Sequence, residues 1–186
     1  MKKTVILRIM SFLPVCLLWF VFSSCRKDDE NKIICGIRAT FNIEVSADIL
    51  DYFDVSVTYI DDKNKENTVV LTEEKWTYKL DNASTLLPES LCLKAVMRPK
   101  ADYPDINPDV LYSIKREAGG KVYADLKIPG AVWSRSEYES RFLSGYTYSN
   151  RWAQPLAGKA FEECLGKGEQ VICDYRYDID YNKSYN

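Results

Sequence analysis

The feature that most constrains the fold is an alternation of apolar and polar residues that returns several times along the chain. Between Cys35 and Val45, apolar Ile37, Phe41 and Ile43 share one side and polar residues occupy the other. A period of two places alternate side chains on one face of an extended strand, so this segment is predicted to be a half-buried strand. Further strands are predicted at 55–59, 69–71, 76–80 and 171–179. The connections are too short for crossover helices, which favours antiparallel sheets.

Two other strand predictions depend on composition and on glycine. The segment 91–98 carries apolar residues on both faces and is expected at the centre of a sheet. Segments 111–115 and 122–128 flank Gly119 and Gly120. Paired glycines adopt positive φ at no steric cost, so we expect a β-hairpin at this point.

Helical signals are confined to a segment at about 134–166. Ser136 followed by Glu139 forms the pattern of a capping box, which predicts a short helix. A second helix is predicted from about 155 to 165, with Gly166 as its stop.

These elements predict a mainly β fold, namely an antiparallel β-sandwich with two short helices near the C-terminus. Immunoglobulin-like and transthyretin-like topologies both fit the strand pattern. Neither an internal repeat nor a Gly/Ser-rich linker is found. Residues 33–186 are therefore predicted to form a single domain.

The chain begins with the pattern of a secretory signal. Lys2, Lys3 and Arg8 precede an apolar stretch from Ile9 to Phe22, which ends in two serines. This stretch is shorter than the roughly 20 apolar residues that span a membrane. Residues 1–24 are therefore interpreted as a cleaved signal peptide.

The next residue, Cys25, is predicted to carry a lipid. The sequence Val21-Phe22-Ser23-Ser24-Cys25 resembles a lipobox, in which the cysteine receives diacylglycerol before cleavage. The charged run Arg26-Lys27-Asp28-Asp29-Glu30 resembles the export signal of Bacteroidetes surface lipoproteins. The resemblance implies that residues 25–32 are a lipidated, palmitate-bearing tether on the outer membrane, with the domain facing the cell exterior. Judged by composition alone, the charged run is an ordinary hydrophilic linker.

Charge argues against nucleic acid as a partner. Loss of Lys2, Lys3 and Arg8 with the signal peptide leaves 22 of the 25 basic residues against 27 acidic residues, a formal charge near −5. A nucleic-acid-binding domain is expected to be basic. The predicted partners are the membrane, reached through the lipid, and an external molecule.

The cysteines leave one disulfide candidate. With Cys16 in the signal peptide and Cys25 lipidated, the remaining cysteines are Cys35, Cys92, Cys164 and Cys173. A Cys164–Cys173 bridge is the candidate, because both residues fall in one helix, loop and strand unit. The alternative is that they are buried apolar side chains.

Catalytic signals are missing from the sequence. The chain contains no histidine, which excludes nucleophiles activated by imidazole and most catalytic zinc sites. Phosphate-loop, dinucleotide and G-x-S-x-G patterns are not found either. We therefore expect no enzyme activity and no cofactor.

One loop resembles part of a calcium site. Asp102, Asp105, Asn107 and Asp109 place oxygen atoms close together, but Val110 stands where a calcium loop needs glycine. No metal site is predicted on this basis.

Aromatic residues supply the candidate ligand-binding set, which is Trp133, Tyr146, Tyr148 and Trp152. Exposed tyrosine and tryptophan serve sugar or protein recognition because their rings are large, stiff and partly polar. The alternative is that these rings cover an open end of the sandwich as part of the core.

The predicted function is a non-enzymatic cell-surface binding module for a glycan or a protein partner. A second hypothesis is a structural subunit of a fimbria-like assembly, since lipidated precursors with β-sandwich bodies resemble fimbrillin-type proteins. In that case the terminal strand 171–179 would complete the sheet of a neighbouring molecule.

Overall fold

The computed structural model describes residues 32–81, 87–127, 139–144 and 151–182, with the backbone alone at 127 and 139–144. The described residues form nine strands: β1 Ile33–Val45, β2 Phe53–Ile60, β3 Glu66–Val70, β4 Lys75–Leu80, β5 Ser90–Pro99, β6 Leu111–Lys127, β7 Glu139–Ser144, β8 Trp152–Ala157 and β9 Gln170–Asp178. They also form two helices, α1 Ala47–Tyr52 and α2 Gly158–Gly166.

The strands form two antiparallel sheets. Sheet A has five strands in the order β4-β1-β6-β7, and β8 also pairs with β6. Sheet B has four strands in the order β3-β2-β5-β9. This arrangement confirms the predicted mainly β, sandwich-like fold. β5, which was predicted as a central strand, lies between β2 and β9 in sheet B. The terminal strand β9 therefore pairs within the same sheet, with β5.

The core lies between the sheets and is built by the period-two pattern. On β1, the side chains of Ile37, Ala39, Phe41 and Ile43 are buried almost completely, while the residues that alternate with them face outwards. Phe161 of α2 is also fully buried and stacks on Tyr112, with ring centroids 4.2 Å apart. The helix therefore contributes to the same core as the sheets.

The predicted hairpin at Gly119 and Gly120 is wrong, because β6 runs straight through both glycines. Gly120 pairs with Phe41 of β1, and neither glycine has a positive φ. A Cβ atom at Gly120 would lie 2.6 Å from Phe41 Cδ1 and 2.9 Å from the Thr40 carbonyl oxygen. Glycine is required here by the close approach of the Phe41 ring across the strand pair and not by a turn.

Helix α1, which the sequence pattern did not predict, covers the part of β6 that extends beyond β1. β1 ends at Val45, and there Ser46 donates its hydroxyl hydrogen to the Ser113 carbonyl and accepts a hydrogen bond from the Lys115 amide at 3.1 Å. The Asp48 carboxylate accepts from the Ser113 amide. Among the described residues, β6 has no neighbouring strand on this side, and its backbone amide and carbonyl groups need hydrogen-bond partners. The side chains of Ser46 and Asp48 supply them.

The predicted helix starting near Ser136 is wrong from Glu139 onwards, where the chain forms β7. Capping boxes act locally, whereas β7 gains a ladder of hydrogen bonds with the 122–126 part of β6. The second predicted helix is found, but it begins at Gly158, after Pro155 has paired within β8. Proline is tolerated in β8 because that strand lies at a sheet edge. Neither helix of the described residues is long and apolar enough to cross a membrane.

Candidate ligand-binding face

Of the residues predicted for lipidation or ligand binding, only Trp152 lies within the described residues. Cys25, Trp133, Tyr146 and Tyr148 lie outside them. Trp152 is partly buried against the core, and the Arg116 guanidinium lies 5.2 Å from its ring centroid. Trp152 therefore has packing contacts with the core, and its role in ligand binding stays a prediction.

The predicted Cys164–Cys173 disulfide is not formed in the structure. Both residues are buried, and each sulfur has a different neighbour. The Gln170 side-chain amide nitrogen lies 3.7 Å from Cys164 Sγ, and Cys173 Sγ donates to the Leu93 carbonyl at 3.7 Å. The second possibility raised by the sequence, that they are core side chains, describes them in this structure.

The polar loop before β6 is organised by its own hydrogen bonds. The Asn107 side-chain oxygen accepts from the Asp109 amide at 3.0 Å, and the Tyr112 hydroxyl accepts from the Asn107 amide at 2.8 Å. Within the described residues, no group of three or more cysteine, aspartate or glutamate side chains is arranged to hold a metal ion.

The candidate site is the outer surface of sheet A, which we call the polar face. It consists of the outward side chains of β1, flanked by those of β4 and β6. The register brings together residues that are distant in the chain: Thr40 pairs with Lys79 on one side and Lys121 on the other. The polar face comprises Arg38, Thr40, Asn42, Glu44, Lys75, Thr77, Lys79, Glu117, Lys121 and Tyr123.

One half of the polar face is a depression of about 220 Å³ in which the charges are paired. Glu44 accepts a hydrogen bond from Lys115 at 2.7 Å and lies 3.6 Å from the Lys75 ammonium. The hydrogen bond from Lys115 lowers the pKa of Glu44, against the opposing effect of partial burial. Glu117 is paired with Arg151 at 2.7 Å. Acids and bases here neutralise each other.

At the centre of the same half, two uncharged side chains meet across the strands. The Thr77 hydroxyl donates to the Asn42 side-chain oxygen at 3.0 Å, and both residues line the depression. Amide and hydroxyl groups are suited to binding the hydroxyls of a ligand.

The other half is a depression of about 240 Å³ with a different electrostatic character. Its charged lining consists of Arg38, Lys79 and Lys121 against one carboxylate, Asp81. Arg38 donates to Asp125 at 2.8 Å, whereas both lysine side chains are exposed. This half of the polar face therefore presents an excess of positive charge.

Sequence patterns alone did not assemble this face. The outward positions of β1 were evident from the alternation, but nothing local indicated that β4 and β6 would flank them. The aromatic signal pointed instead to the segment around Trp152. Register, which depends on the whole sandwich, brings Lys79 and Lys121 to either side of Thr40.

The fold and the face define an antiparallel β-sandwich whose sheet A presents a polar outer surface among the described residues. No protein-family model, curated protein or solved structure matches the chain.

Proposed function

We propose that this chain is a lipid-anchored binding module displayed on the cell surface, and that the polar face of sheet A binds a glycan. The observation that carries the proposal is the polar face itself. It combines two shallow depressions with amide, hydroxyl and charged groups held on rigid strands. Sites built on regular elements hold such groups in fixed positions, as recognition of a hydroxyl-rich ligand requires.

The composition of the face favours a glycan over a protein. Protein interfaces have an apolar centre with aromatic anchors and a polar rim. The large exposed apolar side chains of the described residues are Val70, Tyr103, Val110, Leu111 and Val171, and none of them belongs to the polar face. Its one aromatic ring, Tyr123, lines the lysine-rich depression and offers a surface on which a sugar ring can stack.

The pKa shifts of the carboxylates are also more consistent with a binding role than with a catalytic role. A general acid needs a raised pKa near the working pH. Among the described carboxylates, the resolved shifts are downward: a hydrogen bond from Lys115 lowers the pKa of Glu44, and the Lys65 backbone amide lowers that of Asp61. Both groups are held in the charged form, which suits a structural or binding role.

The anchor is proposed from the sequence, and the start of the fold fits it. β1 begins at Ile33, and Lys32, at the edge of the described fold, is seven positions after Cys25. Fully extended, a tether of this length reaches at most about 25 Å. A lipid on Cys25 would therefore hold the sandwich close to the membrane surface.

Binding is tested by applying the full lipoprotein, purified in detergent, to an array of neutral and acidic glycans. The test variant is Asn42→Ala with Thr77→Ala, which removes the hydrogen-bonded pair of the polar face. The matched control is Thr58→Ala with Thr68→Ala, because these residues form an equivalent pair, 2.9 Å apart, on the outer surface of sheet B. We expect glycan signals that the first variant loses and the control keeps.

Two results would contradict the glycan proposal. One is an array without signals; the other is binding that both variants retain. If the array is empty but a cross-linked outer-membrane protein is lost in the polar-face variant only, the face binds a protein instead.

The anchor is tested separately by mass spectrometry of the membrane fraction and protease treatment of intact cells, comparing the wild type with Cys25→Ala. An acylated Cys25 peptide and a protease-sensitive domain are expected. A soluble, unacylated wild-type product would refute the lipoprotein proposal.

The fimbria-like alternative receives less support. It was motivated by a terminal strand in need of a partner, and β9 pairs with β5 from Gln170 to Asp178 within the same sheet. We therefore expect the protein lacking residues 1–25 to elute as a single small species from size-exclusion chromatography, and a ladder of polymers would favour the alternative.

A further inference from the structure

Lys79 and Lys121 stand out from the other cations of the two sheets. Among strand residues whose side chains are described, all other Lys and Arg have an interaction partner. For example, the Lys94 ammonium lies 3.9 Å from the Asp174 carboxylate, and the Arg98 guanidinium lies 2.6 Å from the Glu169 carboxylate. The remaining partnered cations are Arg38, Lys75, Lys115, Arg116 and Arg176. Lys79 and Lys121 alone in this set make no hydrogen bond or ion pair with the described protein.

The two lysines occupy one row of the polar face. Both pair with Thr40 of β1, so their Cα atoms are two strand spacings apart, about 10 Å. A lysine carries its ammonium group on a flexible four-carbon stem. The two ammonium groups can therefore converge above the Thr40 hydroxyl.

This row is unfavourable or neutral for the folded protein by itself. Opposite charges across neighbouring strands stabilise a sheet, and like charges oppose it. At Glu44 the register row is Lys75, Glu44 and Glu117. There the Glu44 carboxylate is compensated by Lys75 and by Lys115, which lies two residues before Glu117 on β6. Nothing in the packing of Lys79 or Lys121 requires a positive charge, since both side chains are exposed.

We propose that the Lys79–Thr40–Lys121 row binds the carboxylate of an acidic sugar, so that the glycan of the proposed function is a uronic-acid-containing one. This inference rests on the proposed glycan binding. The two ammonium groups neutralise the carboxylate, and the Thr40 hydroxyl donates to it. Tyr123, in the same depression, packs against the sugar ring.

Two acidic residues near the row, Asp81 and Asp125, reduce the net positive charge of the depression. Asp81 lines the depression, and Asp125 is engaged by Arg38 at 2.8 Å. With Arg38 paired to Asp125, two lysines face one carboxylate. This small excess suits a single-charged carboxylate on a sugar better than a densely charged polymer such as a nucleic acid, whose binding needs an extended basic surface.

The test uses the full lipoprotein in detergent and two probes that differ at the carboxyl groups, trigalacturonic acid with ionised carboxylates and its fully methyl-esterified, uncharged form. Affinities are measured by calorimetry at low and at raised salt concentration. The test variant is Lys79→Gln with Lys121→Gln. The matched control, Lys159→Gln with Lys167→Gln, removes the same charge from exposed positions at α2.

We expect the acid to bind more tightly than the ester, with an affinity that falls as salt rises. Loss of two charge-assisted contacts should weaken acid binding in the test variant about tenfold or more, while the control binds like the wild type. Both variants should melt no lower than the wild type, because the exposed lysines make no protein contact; a variant that fails to fold is thereby recognised.

Equal binding of acid and ester, or acid binding that the Lys79 and Lys121 variant retains, would overturn the inference and leave glycan binding standing. No binding of either probe, together with an empty glycan array, would overturn both proposals.

Discussion

Replacement of Gly120 by alanine is the sharpest test of the structure, because one methyl group is introduced where two strands meet most closely. The new Cβ would lie 2.6 Å from Phe41 Cδ1 and 2.9 Å from the Thr40 carbonyl oxygen. Carbon atoms in favourable contact are about 3.5 to 4.0 Å apart, so the overlap with the ring is about 1 Å. The ring is fully buried and the carbonyl belongs to a central strand, so neither retreats without displacing its neighbours.

The expected cost follows from two opposing effects. Overpacking a core position typically costs about 1–3 kcal/mol, and this contact belongs at the upper end because one of its atoms is backbone. Alanine also restricts the unfolded chain, which returns about 0.4–1 kcal/mol. We therefore expect Gly120→Ala to lower the free energy of unfolding by about 2 kcal/mol.

The assay is urea unfolding followed by tryptophan fluorescence, with Gly166→Ala as the matched control. A Cβ at Gly166, the last residue of α2, meets no atom within 4 Å. The control should therefore be as stable as the wild type or slightly more stable.

A double-mutant cycle with Phe41→Leu distinguishes two reasons why glycine is needed at position 120, namely the close approach of the Phe41 ring and a turn with positive φ. If the Phe41 ring causes the cost, alanine at Gly120 should cost at least about 1 kcal/mol less once leucine makes room. In a hairpin with positive φ at Gly120, the cost would be the same in both backgrounds. That result, or a fully stable Gly120→Ala protein, would refute the reasoning.

Three further predictions concern stability. Ser46→Ala removes both hydrogen bonds that cover the end of β6 and should cost about 1–3 kcal/mol in urea unfolding; an unchanged midpoint would show that water replaces the hydroxyl. Phe161→Ala empties the fully buried ring position in α2 and should cost about 3–5 kcal/mol, and a loss below about 1 kcal/mol would mean that the helix does not share the core. Because Lys115 lowers the pKa of Glu44, their pair stabilises the protein above the ordinary value of 4.5 and loses its contribution as pH falls through the lowered value. Glu44→Gln should therefore lose a few tenths of a kcal/mol at neutral pH and none in acid, and an equal effect at both pH values would contradict the assignment.

Much of the strand content was accessible from the sequence. The alternation at Ile37, Phe41 and Ile43 determined both the strand and its buried face, since a period of two leaves no other regular structure in which these side chains share one side. The apolar character of 91–98 likewise predicted a strand inside a sheet, and in the structure β5 lies between β2 and β9.

Local signals failed where long-range contacts prevailed. Gly119 and Gly120 have the composition of a turn, and Ser136 with Glu139 has the composition of a helix start, yet β6 continues through the first pair and β7 includes Glu139. A glycine pair is compatible with a turn or with a strand crossed by an aromatic ring. Only the position of Phe41 on the neighbouring strand distinguishes them.

The sequence by itself determined the strands with a clear period of two, the buried side of those strands, and the absence of imidazole chemistry. Tertiary structure alone decided strand order and register, and with them the polar face. Lys79 and Lys121 have nothing in common locally. They become neighbours of Thr40 because burial of the apolar side of each strand sets the strand register. The same register fixes the positions of the outward side chains.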